Sequence, residues 1–157
     1  MNWSAVVGPA VVAAIIAGLV SVITNNANSQ HDKTTWNRDK KYESYTDLLE
    51  KIENLLNFIG FAISHQRLDE TKYRELTANI KSPTIRLVAP KTVRSVANAT
   101  RTEVRNYGRY VASLTLESAT VEEVAETAEL YEKAIAANER LAQAMRDDLG
   151  FSKYNKE

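Results

Sequence analysis

Hydrophobic and polar positions divide this chain into one uncharged apolar run and a long remainder patterned for helices. Residues 3–23 read WSAVVGPAVVAAIIAGLVSVI, 21 residues without a charged side chain, and the first charged side chain of the protein is Asp32. A helix needs about 20 apolar residues to cross a hydrocarbon core of ~30 Å. The run is apolar on every face, which argues against a helix in a soluble core. Ala27-Asn28-Ser29 resembles the small-x-small site of a cleaved leader. No basic residue precedes Trp3, however, and the run exceeds the roughly 7–15 residues usual for the apolar part of a leader. An uncleaved transmembrane anchor is therefore the expectation for residues 1–29, a helical bundle for 30–150 and a short tail for 151–157.

Inside the span Ala10, Ala14 and Gly18 recur every fourth residue, beside a second small ridge of Ala13, Ala17 and Ser21. Small residues at this spacing let two membrane helices approach closely, so Ala10, Ala14 and Gly18 form a candidate pairing face. Lys33, Arg38, Lys40 and Lys41 follow the span, and no basic side chain precedes it. Basic residues near a span stay cytoplasmic, which predicts a single-pass protein of the cell membrane with its N-terminus outside and its bundle in the cytoplasm. The same four residues are candidates for contact with anionic headgroups.

Beyond the span, Tyr42, Tyr45, Leu49, Ile52, Leu56, Ile59 and Ile63 alternate steps of three and four, and Leu48, Leu55 and Ala62 widen the stripe. A stripe that broad suits a bundle core better than a two-stranded seam and predicts a helix over residues 35–64. Asp69 is placed as the N-cap of a short helix ending near Lys81, with Leu68 and Tyr73 spaced as a hydrophobic staple. Ser82-Pro83 and Ala89-Pro90 then punctuate the chain, and residues 84–88 between them suit either a helical turn or an extended connector. Pro90 can open the next helix, which runs to about Leu114 on Val93, Ala97, Thr100, Val104, Tyr107, Val111 and Leu114. Thr120 and Glu123 form a capping box for the last helix, and Gly150 stops it. The predicted seam of that helix is Val121, Val124, Ala128, Tyr131, Ile135, Asn138, Ala142, Met145 and Leu149, with Asn138 a polar residue in register-setting position or at the bundle edge.

Charge adds a direction to these helices. Lys plus Arg and Asp plus Glu both number 20, so no global charge attracts the chain to nucleic acid or lipid. Locally, residues 81–114 carry Lys81, Arg86, Lys91, Arg94, Arg101, Arg105 and Arg109 against the single acid Glu103, whereas residues 117–149 are strongly acidic. A basic helix turned back on an acidic one predicts an antiparallel hairpin. Stacking the seams sets Tyr107 against Ala128, Thr100 against Ile135, Gly108 against Ala125, and pairs Arg101 with Glu132 and Arg94 with Glu139. The acidic neighbour leaves the Arg row little claim as a nucleic-acid surface, and no aromatic platform is interleaved with it.

Candidate chemistry changes the picture least. The chain has no Cys, which excludes a disulfide framework, a thiolate zinc site and a cysteine nucleophile. His31 and His65 lack ligand spacing, no Glu-x-x-His or glycine-rich phosphate loop occurs, and Ser113 and Ser118 have no evident base. The expectation is no enzyme, no metal, no cofactor and no small-molecule substrate.

The segments YESYTDLLEKIENL and IRLVAPKTVRSVA, set behind a span and a basic juxtamembrane turn, resemble small single-pass membrane proteins of actinobacteria and their phages. The likeness covers most of residues 3–110 and departs at Lys81-Ser82-Pro83. It implies a cytoplasmic helical domain but no assigned activity, so no functional residue carries over. The fold expected is all-α: one N-terminal transmembrane helix, then an antiparallel bundle of three long helices plus a short connecting helix. Two functions fit it. One is a self-associating interaction or scaffold protein whose partners are the membrane and either its own copies or another membrane protein. The other is a membrane-active phage-type protein, holin-like or a superinfection-exclusion factor, acting through oligomerisation of its span.

Overall fold

The computed structural model describes the backbone over residues 32–151 and the side chains over 37–151. Its elements are α1 (Asp32–Ser64), α2 (Glu70–Asn79), α3 (Thr84–Val88), α4 (Lys91–Ser113), a 3-10 turn (Leu116–Ser118) and α5 (Val121–Asp148). All regular structure among the described residues is helical, so the fold is all-α. No helix among them is long and apolar enough to cross a membrane. Residues 3–23, with Ala10, Ala14 and Gly18, lie outside the described residues.

α1 is the hub. Tyr45, Leu49, Ile52, Leu56, Ile59 and Ile63 are buried, and so are Leu48, Leu55 and Ala62 beside them. That double-width face lets one helix touch all four others. Burying each Leu or Ile removes enough apolar surface to contribute about 1.5–3 kcal/mol. α1 ends where Arg67 N donates to Ala62 O and Gln66 N to Ile63 O, with Gln66 in the left-handed region at φ 53°. This is a Schellman closure with Gln where Gly is usual.

Local capping places the shorter elements. The Asp69 carboxylate accepts from Lys72 N at 3.0 Å and starts α2. Residues 84–88 take the helical alternative: Arg86 N donates to Pro83 O, and Ala89 turns extended ahead of Pro90. Ile85 is buried, while Leu87 on the opposite side is 86 % exposed. Pro90 sits one residue outside α4, as its N-cap. At α5 the capping box forms, Glu123 N donating to Thr120 Oγ1 at 3.2 Å and Thr120 N to Glu123 Oε2 at 2.7 Å. Leu149 closes α5, and Gly150 follows at φ 84°.

α4 and α5 form the antiparallel hairpin, the most extensive pairing in the fold. The α4 seam is buried as expected from Val93 to Val111. The α5 seam departs in its first half: Thr127, Ala134 and Ala137 are buried, Val124, Ala128, Tyr131 and Ile135 are half-buried, and Val121 is 64 % exposed. Small residues take the line of closest approach and larger ones flank it, a rotation that heptad counting misses because it weighs hydrophobicity and not size. The register moves too. Thr100 Oγ1 donates to Ala137 O at 2.9 Å, and Tyr107 lies 5.6 Å from Tyr131, centroid to centroid. The expected opposites were Ile135 and Ala128.

Candidate functional site

The two ends of the described chain meet. Lys41 Nζ lies 3.0 Å from Asp148 Oδ2, and Tyr45 donates its hydroxyl to the same oxygen at 2.6 Å. Arg38 sits over the Phe151 ring, 5.3 Å from its centroid, and Lys40 pairs with Glu43 at 2.7 Å. Three of the four basic residues that follow the apolar run are thus engaged within the bundle. Lys33 lies in α1, with its side chain outside the described set. Asp148 stands in the last turn of α5, where a carboxylate opposes the helix dipole, and the cation from α1 offsets it. Burial, then the hydrogen bond and charge of Asp148, push the Tyr45 phenol far above its ordinary range.

The predicted hairpin ion pairs do not form. Every salt bridge among the described residues is local to one helix except Lys41 with Asp148, and none joins α4 to α5. Arg94, Glu132 and Glu139 are exposed. Arg101 turns the other way, its Nε donating to Ile80 O at 2.7 Å and its Nη1 to Asn98 Oδ1 at 3.0 Å. It holds the carbonyl of the residue that closes α2, where a cation complements the dipole.

Gly108, two turns along α4, shares that orientation. A Cβ there would lie 2.7 Å from the Tyr73 ring and 3.0 Å from Ile59. Gly108 therefore faces α2 and α1, not Ala125 on α5, and its missing side chain admits Tyr73. Heptad stacking assigned these residues to α5 because it allowed α4 one partner, whereas α4 packs on two sides.

Five buried polar atoms among the described side chains have no hydrogen-bond partner: Tyr73 Oη, Thr77 Oγ1, Ser82 Oγ, Arg101 Nη2 and Asn138 Oδ1. Asn138 is in the core and not at the bundle edge. No group of three or more His, Asp or Glu suited to a metal occurs among the described residues. His65 stacks on exposed Phe61 at 3.8 Å, with Nδ1 3.0 Å from Phe61 O. Ser113 donates to Tyr110 O at 2.7 Å, which directs its hydroxyl to the backbone.

Sequence reasoning missed the contact of Lys41 and Tyr45 with Asp148, which joins positions over a hundred residues apart. A faint signal existed in the phase of Tyr45 on the α1 stripe and of Leu149 on the α5 seam. Ser82 gave no signal, since no periodicity encodes the course of the turn between Ile80 and Pro83. Comparison with known proteins finds no matching family model, no matching curated protein and no matching solved structure.

Proposed function

We propose that this chain is a membrane-anchored helical interaction protein that self-associates or docks on another membrane protein, with no enzymatic step. The observation that carries the reading is the uncharged run of residues 3–23, which leads within nine residues into α1 at Asp32. A single-pass anchor with the N-terminus outside and the bundle in the cytoplasm follows from the basic residues after that run. Two features of the bundle support interaction as its role. Lys41 and Tyr45 clamp the end of α5 onto α1, which ties the two ends of the described chain into one unit. Arg94 on α4 and Glu132 and Glu139 on α5 are exposed without ion-pair partners among the described residues, and Leu87 presents an apolar side chain to solvent. Such groups are available in trans.

Crosslinking the chain in native membranes, followed by mass identification of the products, tests this. The reading expects discrete oligomers or one defined partner, retained when the span is exchanged for an unrelated one. Monomer alone, with no partner, would overturn it.

The second reading, a membrane-active phage-type protein, is favoured by one feature, the small-residue ridge of Ala10, Ala14 and Gly18. It expects depolarisation of expressing cells that is lost in Ala14→Leu with Gly18→Leu. Cells that stay polarised would exclude it.

A further inference from the structure

Positive charge gathers around the turn from α2 to α3, and no carboxylate among the described residues pairs with it. Arg101 is only 9 % exposed. Two of its nitrogens are used, on Ile80 O and Asn98 Oδ1, and Nη2 is buried without a partner. Ser82, 3 % exposed, lies two residues past the carbonyl that Arg101 holds, and its Oγ is likewise unpartnered. The charges that act on Arg101 are Arg105, one turn along α4, and Arg86, on α3. Both are cations. Burial first, then these two neighbours, hold the Arg101 guanidinium below the usual arginine range.

None of Arg86, Arg101 and Arg105 takes part in a salt bridge among the described residues. The carbonyl of Ile80 at the end of α2 offers Arg101 only a partial negative charge. A buried cation is costly unless paired, and a cluster of like charges adds to that cost. Guanidinium forks match an oxyanion by geometry as well as charge, and a hydroxyl supplies a further donor.

We propose that Arg86, Arg101, Arg105 and the Ser82 hydroxyl form a binding site for a phosphate-type oxyanion. Arg86 is exposed and Arg105 half-buried, so these two meet the anion from solvent while Arg101 and Ser82 meet it from within. Position selects the source. Arg101 follows Thr100, which bonds Ala137 on α5, and α5 rises about 16 Å from Ala137 to Asp148 at the base, at ~1.5 Å per residue. A site that far along the bundle takes a dissolved phosphate or phosphate ester and not a lipid headgroup. The site itself rests on the bundle alone, whereas the choice of a dissolved source over a lipid rests on the membrane anchor proposed above.

The test uses the full chain in neutral-lipid nanodiscs, with inorganic phosphate against chloride at matched ionic strength. Phosphate at tenfold excess over its Kd is expected to raise Tm by about 4 °C beyond the chloride effect. Arg86→Gln with Arg105→Gln should remove that excess while keeping the helical circular dichroism of the parent, since neither side chain is in the core. Ser82→Ala should weaken phosphate affinity severalfold, read by calorimetric titration. Equal shifts in phosphate and chloride, or an excess undiminished in the double variant, would overturn the site. In a second arm, phosphatidic acid replaces part of the neutral lipid and dissolved phosphate is omitted. Stabilisation in that arm alone, lost in the double variant, would overturn the dissolved source.

Discussion

Lys41 and Arg101 are both drawn from solvent on neighbouring helices of one bundle, yet the protein treats their charges differently. Lys41 meets Asp148 at 3.0 Å, and Tyr45 completes the coordination of that carboxylate from the same helix as the lysine. Arg101 meets a carbonyl and an amide, both uncharged, and its nearest charges are repulsive. The first arrangement is electrically closed and joins the two ends of the described chain. The second fixes α2 against α4 but leaves a positive field unanswered inside the molecule. A charge balanced in cis belongs to the fold, and an unbalanced one is available to a ligand.

Alkali should break the closed end most completely. Tyr45 and the buried Tyr107 are both raised above their ordinary range, Tyr107 by burial first and then by Tyr131. The neutral phenols are therefore favoured in the folded chain. Their contribution is fully present below an unfolded pKa of about 10 and is lost as pH rises through the folded values. Tyrosinate absorbance followed together with circular dichroism should show these two ionising only as the helices melt. Half-buried Tyr110, pushed up to about 12 chiefly by its hydrogen bond to Glu126, is set by a surface contact and not by the core. Full ionisation of all tyrosines in an intact bundle would contradict the assignment.

Single substitutions come next. Asp148→Ala leaves the buried Tyr45 hydroxyl and Lys41 without their acceptor, and should cost about 2–3 kcal/mol in chemical denaturation. Gly108→Ala puts a methyl into the Tyr73 ring and should cost about 1–2 kcal/mol, with Tyr73→Leu in the same chain recovering part of it. Arg101→Met gives up two hydrogen bonds but also relieves an uncompensated buried charge, so its cost should be about 1 kcal/mol or less. An Arg101→Met penalty larger than that of Asp148→Ala would reverse the ranking of the two regions.

The legible and illegible parts of this fold divide along a physical line. Asp69, and Thr120 with Glu123, were placed correctly because a cap is a contact between residues three apart. The α1 stripe was legible because a hub buries a broad face and its period shows. The α5 seam was misplaced by one position over part of its length, since hydrophobicity ranks Ile135 and Tyr131 above Ala134 and Thr127, whereas close approach of two helices favours the smaller pair. The stop after α1 was legible as well, since the expected helix ends at Ser64 where α1 ends, even though Gln66 fills the left-handed position that Gly usually takes. Of the candidate site residues, Arg101 was recognised as important but given the wrong partner. Its true neighbours come from a turn whose course between Ile80 and Ala89 no periodicity encodes. Lys40 and Lys41 were read by charge alone, and charge does not reveal that Glu43 and Asp148 stand beside them.

Two double-mutant cycles measured side by side test the contrast directly: Lys41→Met with Asp148→Asn, and Arg101→Met with Glu132→Gln. A coupling of about 1 kcal/mol or more is expected for the first pair and none within error for the second. Coupling between Arg101 and Glu132 that matched or exceeded that of Lys41 with Asp148 would contradict that contrast.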